Sequence, residues 1–325
     1  MTNINHLSTS SRILVTGGAG FIGSHIIENL LLDDRVSTVR ILDNLSTGNL
    51  NNIALFLSHP KIEWIEGDIR DRETCAKAAE GMDVLNHQAA LGSVPRSIRE
   101  PLVTFDNNIN GFINILDAAR QAGIKRVVYA SSSSVYGDAN YHPKTEDRVG
   151  RVLSPYAASK FSNETIAEAY AKSYGMRIAG FRYFNVFGPR QNPNGPYAAV
   201  IPLFMSHAIN NTSPTINGDG SITRDYTFVD NVVKANINAM LPEVKFEGHQ
   251  VFNIACGATT TLTELWNMIK SITGSAAEAT YGPNRPGDIL HSLADVSKAG
   301  SLIDYVNLIN LQDGLAKTVS FYKNQ

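Results

Sequence analysis

Arg12-Ile13-Leu14-Val15-Thr16-Gly17-Gly18-Ala19-Gly20-Phe21-Ile22-Gly23 is the stretch on which the fold turns. A short apolar run leads into three glycines spaced three apart, and His25 to Leu32 then follows a helical period. Strand, glycine turn, helix is the order this predicts. Gly17 permits a tight turn, Gly20 lets backbone approach a pyrophosphate, and Gly23 lets the helix pack closely on the strand. The free amides and positive dipole end of that helix suit an anionic phosphate.

Moving outward, the apolar run Val39–Leu42 ends in Asp43, twenty residues after Gly23. An acidic residue at that distance accepts hydrogen bonds from the adenosine ribose hydroxyls. The carboxylate repels a 2′-phosphate, so the spacing predicts NAD rather than NADP. Further strands are expected at Lys61–Ile65, Val84–His87, Arg126–Ala130 and Ile178–Tyr183, with helices at Phe105–Ala122 and Tyr156–Tyr174. Strands alternating with helices of this length imply an α/β fold with a doubly wound parallel sheet. Ligands then collect at the carboxyl ends of the strands. Asp68 and Ile69, Gln88 with Ala89 and Ala90, and Ser131 to Ser134 all follow strands and are expected at that edge.

The chemistry is expected at Ser154-Pro155-Tyr156-Ala157-Ala158-Ser159-Lys160. Four residues span a little over one helical turn, so Tyr156 and Lys160 share a face. A free tyrosine, titrating near about pH 10, is a poor base at neutrality. A lysine cation about 4 Å away, at an effective dielectric of roughly 20, would favour the phenolate by about 4 kcal/mol. With Ser132 bonded to the reacting hydroxyl, the three residues would move a proton in alcohol–ketone chemistry.

Beyond residue 184 the alternation gives way to turn clusters and shorter elements, with Leu262–Ile272 helical after a threonine-rich cap. The expected division is a dinucleotide-binding Rossmann domain over 1–184 and a smaller interleaved substrate lobe over 185–325. Segments within about 224–254, including Tyr226–Val229 and Val251–Ile254, are expected to return to the main sheet. The 325 residues are 43% hydrophobic and 18% charged with a net charge of −2, which leaves no electrostatic footprint for nucleic acid or an anionic membrane. Two distant cysteines, Cys75 and Cys256, lie outside any metal-ligand spacing and point to a reducing, cytoplasmic compartment. Residues 1–10 carry no apolar signal core, and no run approaches a membrane span.

Taken together, the Gly17/Gly20/Gly23 turn, Ser132 with Tyr156-x-x-x-Lys160, and Arg182-Tyr183-Phe184-Asn185 resemble the extended short-chain dehydrogenase/reductase family over essentially the whole chain. Within it, the chain is similar to nucleotide-sugar 4-epimerases, in particular the branch acting on UDP-N-acetylhexosamines. Four segments carry that likeness: Ala90-Leu91-Gly92-Ser93-Val94-Pro95-Arg96-Ser97, Tyr197-Ala198-Ala199-Val200-Ile201-Pro202, Asn217-Gly218-Asp219-Gly220 and Arg285-Pro286-Gly287-Asp288.

The resemblance implies tightly bound NAD, Tyr156 as base toward a sugar 4-hydroxyl, Lys160 on the nicotinamide ribose and Ser132 bridging the 4-oxygen. It adds Phe21, Ile22, Asn44, Gly48, Asn108, Ser131, Tyr183 and Val186 to the cofactor side. For a UDP-hexose or UDP-N-acetylhexosamine it implies Ser93, Arg96, Ser132, Ser133, Ser134, Asn185, Ala199, Val200, Asn217, Arg224, Arg285 and Ser292. Arginine is a planar, permanently charged phosphate binder, which suits Arg224 and Arg285 to a diphosphate. Ser292 stands where relatives restricted to non-acetylated hexoses carry a bulky aromatic, leaving room for an N-acetyl group. The family also implies a cytoplasmic homodimer serving nucleotide-sugar supply for polysaccharides, with Ile109, Phe112, Ile113 and Leu116 compatible with the helical interface. Two other readings stay open: a UDP-uronic acid 4-epimerase or decarboxylase, and a catalytically silent NAD-sensing protein. A 4,6-dehydratase would need a carboxylic acid beside Ser132, where Ser133 and Ser134 stand.

Overall fold

A computed structural model describes residues 10–193, 199–283 and 291–324. Its centre is a parallel sheet of seven strands: β1 Ser11–Thr16, β2 Val36–Asp43, β3 Ile62–Glu66, β4 Val84–His87, β5 Arg126–Ala130, β6 Arg177–Tyr183 and β7 His249–Ile254. They run side by side as β3-β2-β1-β4-β5-β6-β7, with register pairs such as Ile13 opposite Val39 and Val84. The order reverses between β1 and β4, and that switch point opens a crevice at the carboxyl ends.

Alternation along each strand divides the core between the two faces. Ile13, Val15, Val39, Ile41, Val128 and Phe181 point to one side, and Leu14, Leu42, Val127, Tyr129 and Ile178 to the other. Helices α1 (Phe21–Leu31), α2 (Arg72–Ala79), α3 (Gly111–Gln121), α4 (Pro155–Tyr174), α5 (Val200–Ile209), α6 (Val229–Met240) and α7 (Leu262–Thr273) follow in chain order. α1 and α6 bury the first face, while α2, α3 and α4 bury the second. Fully burying one such aliphatic side chain is worth about 1.5–3 kcal/mol, which fixes the register of every strand. The first apolar cluster continues through Phe204 on α5 to Leu265 and Trp266 on α7, so chain on both sides of residue 184 shares one core.

Local chemistry sets the helix ends. Ser154 caps α4 by accepting from the Ala157 amide at 3.1 Å, Pro155 occupies the first helical position, and Gly175 ends the helix at φ +61°. Thr261 and Glu264 cap each other's backbone at the start of α7.

Two expectations need correction. Of Tyr226–Val229, only Thr227–Phe228 is extended, and it pairs with Val186–Phe187 in a separate two-stranded ribbon rather than in the main sheet. The helix expected at Phe105–Ala122 begins at Pro101 and passes through one π turn, Asp106–Asn110, before α3. The extra residue in that turn rotates α3 relative to the turns before it. Phe112 and Leu116 therefore point into the core, and Ile109 and Ile113 are half-buried. The exposed apolar side chains here are Ile98, Leu102 and Val103, with Phe161 on α4.

Candidate active site

Gly17 leaves β1 at φ +70°, the left-handed region that favours glycine, and its amide donates to the Leu42 carbonyl at 2.9 Å. A Cβ there would stand 2.6 Å from the Ala89 nitrogen. On Gly23 a Cβ would stand 2.2 Å from the Gly17 carbonyl oxygen. The turn is thus drawn flush against both the β4 exit and the first turn of α1, leaving backbone rather than side chains to face a ligand. Above it lies a groove of about 580 Å³ along the carboxyl ends of the strands.

At one end of the groove Asp43 terminates β2. Its carboxylate accepts from the Ala19 amide at 2.9 Å and the Leu45 amide at 2.8 Å. Burial pushes the carboxyl upward, and those two amides oppose it. An oxygen fixed this way keeps lone pairs for hydroxyl donors and repels a phosphate. Glycine turn, open helix start and fixed carboxylate match the diphosphate and ribose of NAD in charge and donor type. The groove walls are lined by Phe21, Ile22, Asn44, Gly48, Ile69, Gln88, Ala89, Ala90, Ser131, Tyr183 and Val186, all expected on the cofactor side.

Ser132, Tyr156 and Lys160 meet on the far side of the same groove. Ser132 caps the short helical turn that follows β5; its Oγ accepts from the Ser134 amide at 3.1 Å, and its hydroxyl draws the Tyr156 phenol downward. Lys160 is buried, and its Nζ donates to the Ala130 carbonyl at 2.7 Å. Burial pushes its ammonium down to about 8. Beneath it, the buried His87 imidazole falls to about 3, through burial first and the Lys160 charge second. His87 is therefore neutral, with its Nδ1 2.7 Å from the Thr16 hydroxyl.

The balance at Tyr156 differs from the sequence expectation. Burial raises the phenol, and the opposing effect comes from Ser132 rather than from Lys160, whose ammonium is turned to the Ala130 carbonyl. The phenol is assembled with its partners but is not brought toward neutrality by the lysine in this geometry.

Other expected residues divide between groove and supporting layer. Ser93, Ser133 and Asn185 line the groove; Asn185 sits at φ +33° with its Nδ2 donating to the Asp225 carbonyl at 3.0 Å. Asp68 stands behind Asn44, which donates to it at 2.9 Å, and Arg70 clamps it at 2.7 Å and holds its carboxyl down to about 2. Asn108 grips the Leu91 backbone and the Ser159 hydroxyl, fixing the groove wall to α4 instead of facing a ligand. The Ser134 hydroxyl is buried outside the groove lining and makes no hydrogen bond among the described residues.

Arg96, Ala199, Val200, Asn217, Arg224 and Ser292 also stand outside the lining formed by the described residues. Arg224 donates to the Thr223 carbonyl at 2.9 Å, and Thr223 contacts His291 at 3.1 Å, which brings the start of the Ser292 segment beside Thr223. Asp225, next in sequence, is turned inward onto the amides of Cys256 and Gly257, with burial raising its carboxyl to about 6. Arg285 lies outside the described residues.

Sequence reasoning missed Ser46, Thr47 and Gln191, which also line the groove. Ser46 and Thr47 sit between Asn44 and Gly48, a signal present in the sequence; Gln191 follows β6 by eight residues and carried none. It also missed a buried amide network behind the wall. Asn236 donates to the Tyr183 hydroxyl at 2.9 Å, Tyr183 donates to Gln88 at 3.2 Å, and Gln88 donates to Asn86 at 2.7 Å.

Residues 13–255 match the family model described as the NAD dependent epimerase/dehydratase family. The chain is 41% identical, over 96% of its length and 98% of the relative's, to a putative UDP-glucose 4-epimerase of Methanocaldococcus jannaschii. Among solved structures it resembles a UDP-N-acetylglucosamine 4-epimerase from Methanobrevibacter ruminantium in complex with UDP-N-acetylmuramic acid. That likeness has a TM-score of 0.92 at 39% identity, covering 98% of this chain and 99% of the other. It also resembles a Thermus thermophilus UDP-glucose 4-epimerase in complex with NAD, with a TM-score of 0.86 at 34% identity, covering 96% and 99%.

Proposed function

The chain belongs to the NAD dependent epimerase/dehydratase family, as an NAD-using isomerase of the UDP-sugar 4-epimerase kind, and on that premise we propose that it interconverts UDP-GlcNAc and UDP-GalNAc through a 4-keto sugar. UDP-Glc and UDP-Gal are the further substrates of this reading. The observation that carries it is the meeting of Tyr156, Ser132 and Lys160 in the groove that the glycine turn and Asp43 open.

When bound, NAD supplies the hydride acceptor and a positively charged ring. The chain supplies proton handling and grip. Tyr156, as phenolate, takes the proton of the sugar 4-hydroxyl while hydride leaves C4. Ser132 donates its one proton to the 4-oxygen, bridging it to the site. Lys160 has one proton on the Ala130 carbonyl and keeps two more for ribose hydroxyls. After the sugar turns to present the other face of its carbonyl, Tyr156 gives the proton back as hydride returns to C4. In this reading residues up to 184, with β7 (His249–Ile254) returning to the sheet, hold the dinucleotide and part of the sugar pocket, and the remaining chain after 185 completes the grip on the UDP-sugar.

Ser93 and Ser133 in the lining support an N-acetyl group by being small and hydroxylated. Lys160 is the one cation in the lining among the described residues, so a C6 carboxylate finds no second positive partner there. Among the described residues no helix is long and apolar enough to cross a membrane. We also propose a homodimer through Ile98, Leu102, Val103 and Phe161, exposed apolar side chains on helices that pack against one another. Light scattering on the purified protein would read twice the chain mass.

The test is a substrate panel. Purified protein is examined for co-purifying NAD, then incubated with UDP-GlcNAc, UDP-Glc or UDP-GlcA while anomeric proton NMR follows the sugar. Growth of the UDP-GalNAc signal without added oxidant is the expected result. Conversion of UDP-GlcA alone, or of no UDP-sugar, overturns the reading.

A further inference from the structure

Helix α4 carries a third side chain on the stripe that bears Tyr156 and Lys160. Glu164 follows at the next i+4 step, and the three residues hold three successive residues of the β5 exit. Tyr156 lines the groove beside Ser132, Lys160 donates to the Ala130 carbonyl at 2.7 Å, and the Ser131 hydroxyl donates to Glu164 Oε1 at 2.5 Å. Ser131 and Ser132 line the groove, whereas Glu164 lies behind them with its side chain only 7% exposed.

The carboxylate is itself fixed from the other side. Arg182 on β6 donates from Nε to Glu164 Oε1 at 3.0 Å and from Nη2 to Oε2 at 2.8 Å, a forked pair in which both partners are buried. Its third nitrogen, Nη1, donates to the Glu146 carbonyl at 3.1 Å, and the guanidinium lies 4.8 Å from the centre of the Tyr136 ring. A buried ion pair is a poor source of net stability, because desolvation consumes most of its Coulomb energy. This one instead sets direction. A carboxylate accepts only, so Ser131 must spend its proton on Glu164 and turn its lone pairs to the groove.

We propose that Glu164, oriented by Arg182, is a positioning residue for the reaction: it locks Ser131 as a pure acceptor and holds the Ser131–Ser132 turn in line with Tyr156. The inference rests on the epimerase reading above and adds a residue that touches neither cofactor nor sugar. Displacing a reacting group by about 1 Å costs on the order of 100-fold in rate, so a loosened turn is felt in turnover more than in binding.

The experiment is a double-mutant cycle on NAD-loaded protein with UDP-GlcNAc, using Glu164→Gln, Ser131→Ala and the pair. Glu164→Gln keeps the shape but puts an amide donor where the Ser131 proton is accepted, freeing that hydroxyl to reorient. The expected result is a fall in kcat of ~10–100-fold for each single variant with KM within about 3-fold, and a double variant no slower than the worse single one. Glu164→Asp, which keeps the charge, should recover part of the loss. Multiplicative effects, a change in melting temperature with kcat intact, or full activity in Ser131→Ala would each overturn the proposal. Should Glu164→Gln fail to fold, Ser131→Ala and Glu164→Asp still decide, because neither leaves Arg182 without a carboxylate. Absence of conversion by the unmutated protein would instead refute the epimerase reading.

Discussion

Replacing Lys160 with methionine should make the cofactor-stripped protein more stable while removing its activity. Lys160 is 2% exposed, and its ammonium donates to the Ala130 carbonyl at 2.7 Å. Burial moves its titration from 10.5 to about 8. At about 1.4 kcal/mol per unit, keeping that charge at neutral pH costs the fold roughly 3 kcal/mol. Methionine fills a similar volume without a charge, and losing the bond to Ala130 gives back about 1–1.5 kcal/mol. A net gain of about 1–2 kcal/mol remains, or a melting point roughly 2–4 °C higher in a chain of this size.

The sign has a pH signature. Because the folded value lies below the unfolded one, the penalty is complete below pH 8 and fades as pH rises from there toward 10.5. Differential scanning fluorimetry of both proteins at several pH values is the assay. The advantage of Lys160→Met should be largest at pH 7 and nearly gone at pH 10, with turnover lost throughout. A variant that melts lower at pH 7, or a gap that stays constant across that range, would refute the burial argument.

Four further outcomes rest on the same geometry. Tyr156→Phe should retain NAD, seen in the ultraviolet spectrum of the purified protein, and lose ~100–10,000-fold in kcat; near-normal turnover would remove the assigned base. Ser132→Ala should shift the acid limb of the kcat–pH profile to higher pH. The Ser132 hydroxyl lowers the Tyr156 phenol, and losing it raises the pH at which the base ionises; an unmoved limb would contradict this. Gly17→Ala should abolish NAD retention, since its Cβ would lie 2.6 Å from the Ala89 nitrogen at φ +70°, and isothermal titration would show it. Asp43→Ser should weaken NAD and improve NADP, because removing the carboxylate lifts its repulsion of a 2′-phosphate; unchanged preference would move cofactor selection elsewhere.

The parts of the molecule legible in the sequence are those whose physics is local. β1, the glycine turn and α1 form one contiguous unit, and the short runs Val84–His87 and Arg126–Ala130, each built around apolar residues between helical stretches, have limits that agree with the structure. Tyr156 and Lys160 share a face because four residues are one turn wherever the helix lies. What escapes a sequence reading depends on contacts distant in sequence or on competition between polar partners. Thr227–Phe228 is too short to show a period, and its pairing with Val186–Phe187 is decided by the loop carrying Asn185. Asp68 follows a strand as a ligand should, yet Arg70, two residues on, captures it.

Position alone puts Asn108 at the cofactor, while both polar atoms of its amide are needed for Leu91 and Ser159. The helical period through Phe112 and Leu116 shows an apolar stripe without showing which way the preceding π turn aims it. Proximity alone would have Lys160 act on Tyr156. Coulomb's law gives the size of that effect but not the direction of a flexible ammonium, and here the Ala130 carbonyl claims it.

If the chain is a 4-epimerase of the proposed kind, hydrogen leaves C4 of the sugar and returns to the same carbon. UDP-GlcNAc carrying deuterium at C4, incubated with the protein as purified and followed by mass and NMR, puts that step to the test without any variant. UDP-GalNAc should keep its deuterium at C4 and form more slowly than from unlabelled sugar; product with the label washed out into water would mean that the hydrogen is not carried as hydride.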